Sequence, residues 1–451
     1  MKHRTIEPAP SVDLGSANLS ISEAMSLAQN PTVREVLRRA NTDYLYWDKF
    51  KHLPQPGGLD PKVAWFLLKL ARALNRRDTP VTDVHGRTFN YSLTPEVLRC
   101  LHEIDRRAGG SITMESGGIP EENRKRFLVN SLMEEAIASS QIEGASTTTR
   151  VAKEMLRTGR EPADRAERMI LNNYRTIQQM KRHVRQPITP EILCALQESM
   201  TEGTLDREGD SGRFRTDDDI VVIDDQTNEI LHTPPPESEI APQLQALCDY
   251  ANKDDGDFEY PVLKAIVLHF WLAYVHPFVD GNGRTARALF YLYMLKRGYW
   301  LFEYLAISRV ILGRRGQYNK AYIYSEQDEC DMTYFVTFNL HAIEQSINEL
   351  HDYMSRKTQE DERLQRSLKS NLRLNHRQRA VLIRALKDPG VQITIESHAG
   401  SHDVAYATAR ADLLALAQDG YMVQERMGKK FVFSPAPSLR DTIEASAAQV
   451  P

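Results

Sequence analysis

Cysteine is scarce in this chain: four residues, at positions 100, 194, 248 and 330, in 451. They lie far apart with no metal-ligand spacing, so they are expected as reduced thiols rather than as a disulfide framework. Long apolar runs are missing as well. A membrane-crossing helix needs about 18 consecutive apolar residues, and the nearest stretch, Ala265 to Val275, is shorter and contains His269. The first ten residues, MKHRTIEPAP, have no apolar segment after their basic residues, unlike a secretion signal. The expectation is a soluble, cytoplasmic protein with no membrane partner. Charge of one sign is also lacking: 57 Lys and Arg against 61 Asp and Glu give a net charge of −4. Such a balance provides no global attraction to nucleic acid or anionic lipid. The length exceeds one typical core, and two or three domains are expected.

The most informative stretch is His276 to Arg287, HPFVDGNGRTAR. Before it, Tyr260 to Tyr274 is rich in apolar and aromatic residues and reads as a buried helix that must end or bend at His276-Pro277. His276, whose unperturbed pKa lies near 6.5, has the chemistry of a general base at neutral pH. Asp280-Gly281-Asn282-Gly283 predicts a turn tolerating positive φ at both glycines, and Arg284 to Lys296 resumes a helical pattern. A glycine-rich turn feeding a helix N-terminus presents unpaired N-H groups to a phosphate. Arg284 and Arg287 are three apart and so share a face toward that anion. Asp280 is an oxygen donor suited to Mg2+ bridging phosphates.

This stretch resembles the HPFxDGNGRxxR signature of the Fic family, residue for residue. The resemblance implies transfer of a nucleotide monophosphate, usually AMP from ATP, to a hydroxyl of a target protein or of the chain itself. By position, His276 would be the catalytic base, Phe278 the loop anchor and Asp280 the metal ligand. Gly281, Asn282 and Gly283 would form the anion hole, and Arg284 and Arg287 would hold the outer phosphates. ATP and Mg2+ are the cofactors implied. Relatives acting as kinases depart from GNGRxxR, which this chain keeps. Many members carry two adjacent tyrosines near the adenine, whereas here Tyr318 is followed by Asn319. Tyr318 is the candidate for stacking on the base, with a core role as the alternative.

A second signal precedes the loop. Leu128, Leu132, Ala136 and Ile137 mark a helix that ends in Ser139-Ser140-Gln141-Ile142-Glu143-Gly144. Ser139 and Glu143, four apart, share one face, and Gly144 suits the helix end. The pattern looks like the inhibitory-helix motif of Fic proteins, here about residues 124–144, and implies that Glu143 pairs with Arg287 where the γ-phosphate would lie. A hairpin is predicted from Ile220-Val221-Val222-Ile223, the polar turn Asp224 to Glu229 and Ile230-Leu231-His232-Thr233, closed by prolines 234–236. Its place resembles the Fic flap, which covers the nucleotide and pairs with the target backbone.

The fold class expected is mainly α: a Fic helical core with a β-hairpin flap, plus a C-terminal winged helix-turn-helix domain. The expected divisions are an N-terminal helical region (1–120), the Fic domain with its inhibitory helix (121–350), a linking helix (351–370), the winged helix (371–435) and a frayed tail (436–451). Pro31 to Phe50, Pro61 to Asn75 and Pro95 to Ala108 read as helices, the last capped by Thr94, while Asp78 to Tyr91 is polar and silent about function. Helices are also expected over Thr147–Gly159, Ala163–Val184, with Arg165, Glu167 and Arg168 on its solvated face, and Pro190–Thr201. In the last domain the helix bearing Tyr406, Thr408 and Arg410 would enter a DNA major groove, but nine basic residues against six acidic ones make a weak phosphate-binding surface. Contact with DNA or with protein is therefore open, as is a homodimer. Two alternatives to AMP transfer stand beside it. One is removal of AMP by the same site, and the other is a DNA-binding regulator whose Fic part senses nucleotide.

Overall fold

The structure is a computed structural model, which describes residues 6–11, 20–109, 121–223, 230–253, 258–370, 374–388, 390–427 and 430–447. Its described residues fall into two compact units. Residues up to 109 with Leu128–Ile347 form the first, and residues 121–127 with the chain from Asn348 onward belong to the second.

The first unit is mainly helical, and its helices start where the sequence supplies a cap. α1 (Ile21–Gln29) begins with a capping box between Ser20 and Glu23. Asn30, Asp60, Thr94 and Thr189 cap helices whose first residue is proline: α2 (Pro31–Thr42), α4 (Pro61–Ala73), α5 (Pro95–Ala108) and α9 (Pro190–Thr201). Each side-chain oxygen takes up an orphan N-H, and proline removes another that would be unpaired. The segment expected as one helix to Phe50 is broken between α2 and the short α3 (Trp47–Phe50), where Tyr44 turns into left-handed backbone (φ 44°). Tyr46 stacks on Tyr324 at 3.9 Å and meets Trp65 edge-on, in a cluster with Trp47 and Phe50. The N-terminal region is thus tied to the rest of this unit by aromatic packing.

Asp78 to Tyr91, uninformative as sequence, is an antiparallel hairpin of β1 (Arg76–Thr82) and β2 (Thr88–Ser92). Val81, Phe89 and Tyr91 are buried, and so are the polar Thr79, Asn90 and Ser92, while Arg77 and Asp78 face out. α6 (Glu121–Ile142) and α7 (Thr149–Thr158) precede α8 (Arg165–Met180). Glu167 of α8, expected on a solvated face, is 4% exposed because Arg160 and the Ala163 N-H bind its carboxylate. The predicted flap is the antiparallel pair β3 (Val222–Ile223) and β4 (Ile230–His232). Ile220 and Val221 stand outside the strand, and the expected turn 224–229 lies outside the described residues. α10 (Glu237–Asn252) leads to α11 (Pro261–Val275). α11 is buried almost all round and packs against α10 and α12 (Asn282–Lys296), which in turn meets α8 and α9. The signature loop joins the two most buried helices, so its backbone is held on both sides. Beyond it, α13 (Ile307–Gly313) and α14 (Arg315–Gln327) are separated at Arg314, and α15 spans Thr333–Ser370.

In the second unit α16 (His376–Lys387), β5 (Ile393–Thr394), α17 (Ile395–His402), α18 (Tyr406–Gln418), β6 (Met422–Met427) and β7 (Lys430–Pro435) surround one apolar cluster. The strands form a sheet in the order β5-β7-β6. The tail expected to fray is instead, over Leu439–Ala447, a helix, α19, whose Leu439 and Ile443 are buried in that cluster. Its alanine-rich appearance hid two apolar residues four apart.

Candidate functional site

His276 closes α11 in left-handed backbone (φ 48°, ψ 58°), its N-H bonded to the Leu272 carbonyl. Such a conformation is strained for a residue with a β-carbon and persists only where neighbours enforce it. Arg215 does so: its main-chain N-H donates to the Pro277 carbonyl at 2.8 Å and its Nε to the His276 carbonyl at 3.0 Å. The same guanidinium also binds the carbonyls of Pro235 and Asp217, joining both roots of the flap to the loop. Sequence reasoning gave Arg215 no such role; an arginine ahead of a predicted strand carries no local signal for three distant carbonyl acceptors.

The His276 Nδ1 lies 3.2 Å from the Ala273 carbonyl, an acceptor, so Nδ1 carries the proton and Nε2 the lone pair. Burial pushes the ring down to about 4, only partly countered by that carbonyl and by Glu143. The neutral, proton-accepting form therefore prevails at neutral pH.

Phe278 is fully buried beside Phe214, with ring centroids 5.6 Å apart, and Asn282 clasps it by accepting from the Phe278 N-H and donating to its carbonyl. Asn282 thereby shapes the loop with its side chain. Phe278→Ala is expected to cost roughly 3–5 kcal/mol, read as a lowered denaturant midpoint at unchanged slope. Gly281 has φ 85°, and a Cβ there would come within 3.0 Å of Thr201 Cγ2. Gly283, expected in positive φ, is instead helical, within the first turn of α12. Its need for glycine is close approach: a Cβ would lie 2.2 Å from Glu143 Oε1.

The two arginines sit differently. Arg284 is 1% exposed, donates from Nη1 to the Met200 carbonyl at 2.9 Å, and its buried Nε and Nη2 have no hydrogen-bond partner among the described residues. Asp280 Oδ1 lies 3.5 Å from its Nη2. Burial lowers the Arg284 pKa, with Asp280 and Glu143 acting against it. Arg287 is fully engaged by the helix before the loop: its Nε donates to Ser139 Oγ, and its Nη2 to both the Ser139 carbonyl and Glu143 Oε1, each at 2.9 Å. Burial would lift the Glu143 carboxyl, but Arg287 and Arg284 hold it below the ordinary carboxylate range. A depressed carboxylate keeps its partner above the ordinary carboxylate pKa and loses it only as pH falls through the folded value. The pair is thus intact at neutral pH.

Another residue fixes α6 here. Glu135, fully buried, accepts from Tyr291 Oη at 2.8 Å, from the Ser308 N-H at 2.9 Å and from Ser308 Oγ. Burial raises its carboxyl despite those donors. A Glu next to another, Glu134, in an amphipathic helix reads as surface charge, so its burial carried no local signal.

His276, Gly283, Arg287, Glu143, Tyr318, Asn319 and the flap residues Val222, Ile223 and His232 line one pocket with about 830 Å³ of empty volume. Tyr318 is 6% exposed and its hydroxyl lies 2.9 Å from His269 Nε2 and 3.2 Å from Tyr322 Oη, so it is anchored in the core as well as facing the pocket. Asp280 stands at the loop, one third exposed, with Oδ1 accepting from the Gly281 N-H and Oδ2 3.8 Å from Arg165. A partly exposed carboxylate beside the glycine turn fits the chemistry of Mg2+, which takes few protein ligands alongside phosphates and water. Among the described residues a separate group of possible metal donors, Glu96, Cys100 and His341, lies elsewhere. There the Arg99 guanidinium already bonds Glu96 and Cys100, so the cation at that place is the chain's own.

Residues 187–294 match the Fic/DOC family. The chain contains a Fic domain. Over 90 residues it is 33% identical to the protein adenylyltransferase Fic of Nematostella vectensis, covering 20% of this chain and 19% of that protein. With the Drosophila willistoni protein adenylyltransferase Fic it shares 37% over 68 residues, 15% and 14% of the two chains. The match thus spans about a fifth or less of these curated relatives. Among solved structures, a Fic family protein from Desulfovibrio desulfuricans G20 superposes with TM-score 0.54 at 21% identity, covering 76% of this chain and 97% of that one. Fic-1 from C. elegans gives 0.50 at 17%, over 76% and 96%. At these identities the likeness concerns the fold, and it extends well beyond the residues of the Fic domain itself. The chain contains no helix, among its described residues, long and apolar enough to cross a membrane.

Proposed function

We propose that this protein is a self-inhibited adenylyltransferase that moves AMP from ATP to a hydroxyl of a target protein or of itself. The observation that carries this reading is the shared pocket wall of His276, Gly283, Arg287 and Glu143 beneath the flap. The relatives named adenylyltransferase support the same chemistry over the matched stretch.

In the reaction, His276 Nε2 takes the proton of the incoming Tyr, Ser or Thr hydroxyl, whose oxygen attacks the α-phosphorus. A bond from that oxygen to phosphorus forms, the bond to the bridging oxygen of the β-phosphate breaks, and pyrophosphate leaves. Backbone N-H groups at the start of α12 and the orphan donors of Arg284 receive the phosphates. Asp280 would hold Mg2+, which when bound neutralises phosphate charge. The flap, whose Ile223 and Ile230 are exposed, offers a strand edge to an extended target segment. Glu143 restrains the reaction: an arginine bonded to a carboxylate and to Ser139 cannot also bind a γ-phosphate, and ATP then sits with its α-phosphate misaligned for in-line attack. Incubation with ATP labelled at the α-phosphate tests the activity by transfer of label to protein.

Removal of AMP by the same site is the second reading, favoured by one observation. The ionised Glu143 shares the pocket with His276 and could orient water. On a pre-modified target, loss of removal in Glu143→Gly with gain of addition would separate the two.

The second unit is proposed to be a winged helix on its element order and three-stranded sheet. Tyr406, Thr408 and Arg410 are exposed on α18, whereas Asp412 on the same helix is buried against Arg377, Asn375 and His398. With a weak basic excess, protein contact is favoured over DNA. A gel shift of the full chain at physiological salt on its own upstream DNA is expected to show no complex, and a sequence-specific complex would reverse that preference.

A further inference from the structure

His232, the last residue of β4, has an imidazole between two acceptors. Its Nε2 lies 2.7 Å from the Tyr274 carbonyl and its Nδ1 2.9 Å from Glu326 Oε2. A neutral imidazole has one N-H and could satisfy only one of them, so both contacts together require the imidazolium. The side chain is 10% exposed, lines the pocket and packs on the Tyr274 ring with centroids 4.9 Å apart.

We infer that His232 is a positively charged clasp that fastens the returning strand of the flap over the nucleotide pocket, a positioning residue for ATP binding.

The geometry gives the reasons. A two-stranded hairpin is marginal by itself, and β3 is only two residues long. The main-chain carbonyl that His232 grips belongs to the last turn of α11, immediately before His276, so the clasp ties the flap to the helix that ends in the proposed base. Glu326 belongs to α14, which also carries Tyr318 and Asn319 of the pocket wall. The charged and titratable groups facing His232 are Glu326 from α14, Tyr274 from α11 and, further along, His276, whose protonated form it disfavours. Burial opposes charge on His232, yet Glu326 and the Tyr274 carbonyl outweigh it and raise its pKa above 6.5. A raised histidine pKa means that the clasp holds at lower pH and is lost as pH rises through the folded value.

This inference rests on the reading that the flap covers ATP, and its test separates the two. In 15N-labelled full-length protein both ring nitrogens of His232, assigned with His232→Gln, should be protonated at pH 6.5, with the midpoint of titration raised above that ordinary value. Amide exchange at Ile230–His232 should quicken in His232→Gln, which can replace only one of the two donors. In the Glu143→Gly background, calorimetry should find ATP binding weakened about tenfold by His232→Gln, as for loss of one charge-assisted hydrogen bond. The parent's loss of affinity with rising pH should shrink in that variant, and the comparison cancels the titration of ATP itself. A single protonated ring nitrogen at pH 6.5, or unchanged amide exchange, would overturn the clasp. Faster exchange with unchanged ATP affinity would overturn its role in binding. Absence of AMP transfer in every variant would instead count against the proposed function, leaving the spectra to decide the clasp.

Discussion

Glu143→Gly is expected to raise AMP transfer about 100-fold. The carboxylate is one of three acceptors on Arg287 and packs directly on Gly283, where a γ-phosphate and its anion nest would need the same space. Removing it frees one N-H of Nη2 and opens that volume, while Ser139 continues to bond Nε and Nη2 and keeps Arg287 oriented. A misplacement of about 1 Å at the reacting atoms can cost about 100-fold, which sets the size of the gain when it is relieved. The measurement is the rate of label transfer from α-labelled ATP to protein, with ATP affinity measured alongside. Because the Glu143 pKa is depressed, acidification within the neutral range should not reproduce the activation.

His276→Ala should remove between about 100-fold and 10,000-fold of the activity of the Glu143→Gly protein, the usual range for a general base. ATP binding should change little, since the imidazole acts on the hydroxyl and not on the phosphates. The histidine also fixes an acid limit. With its pKa pushed down to about 4 by burial, the base stays neutral above that value, and kcat/KM should fall only as pH drops through about 4. The same shift makes the unfolded chain, with its histidine near 6.5, the better proton acceptor between about 4 and 6.5. Stability therefore declines over that interval as pH falls, and circular dichroism at each pH separates unfolding from loss of the base. A kcat/KM profile that falls near 6.5 in folded protein would show a base other than a buried His276.

The reach of the sequence follows from how local each signal is. HPFVDGNGRTAR places base, nest and arginines within twelve residues, so proximity in the chain and proximity in space coincide. The contact between Glu143 and Arg287 spans 144 positions, and only the resemblance of the Ser139–Glu143 pattern pointed to it. Residues that act by bonding backbone carbonyls gave no sign: Arg215 holds the loop through His276 and the flap through Pro235, and His232 holds Tyr274. A carbonyl acceptor has no residue identity, so no spacing rule could have found these pairs. Of the two glycines foreseen in positive φ, Gly281 takes it and Gly283 does not, because α12 starts at Asn282 and takes Gly283 into its first turn, while His276 adopts a positive φ that was not foreseen. Glycine at 283 answers to the neighbour that touches it, a long-range fact. The hairpin over residues 76–92 escaped notice since most of its residues are polar, several of them buried, and apolar anchors such as Phe89, which packs on Phe270, are few. The helix Leu439–Ala447 escaped for the opposite reason, two buried side chains among alanines.

The most direct test is intact-mass and peptide mass spectrometry of three full-length proteins incubated with ATP, Mg2+ and lysate: wild type, Glu143→Gly, and Glu143→Gly with His276→Ala. An AMP adduct on a hydroxyl side chain, abundant with Glu143→Gly, scarce with wild type and missing from the double variant, is the predicted result. No adduct with Glu143→Gly, or a phosphate in place of AMP, would contradict a base at His276 restrained through Arg287.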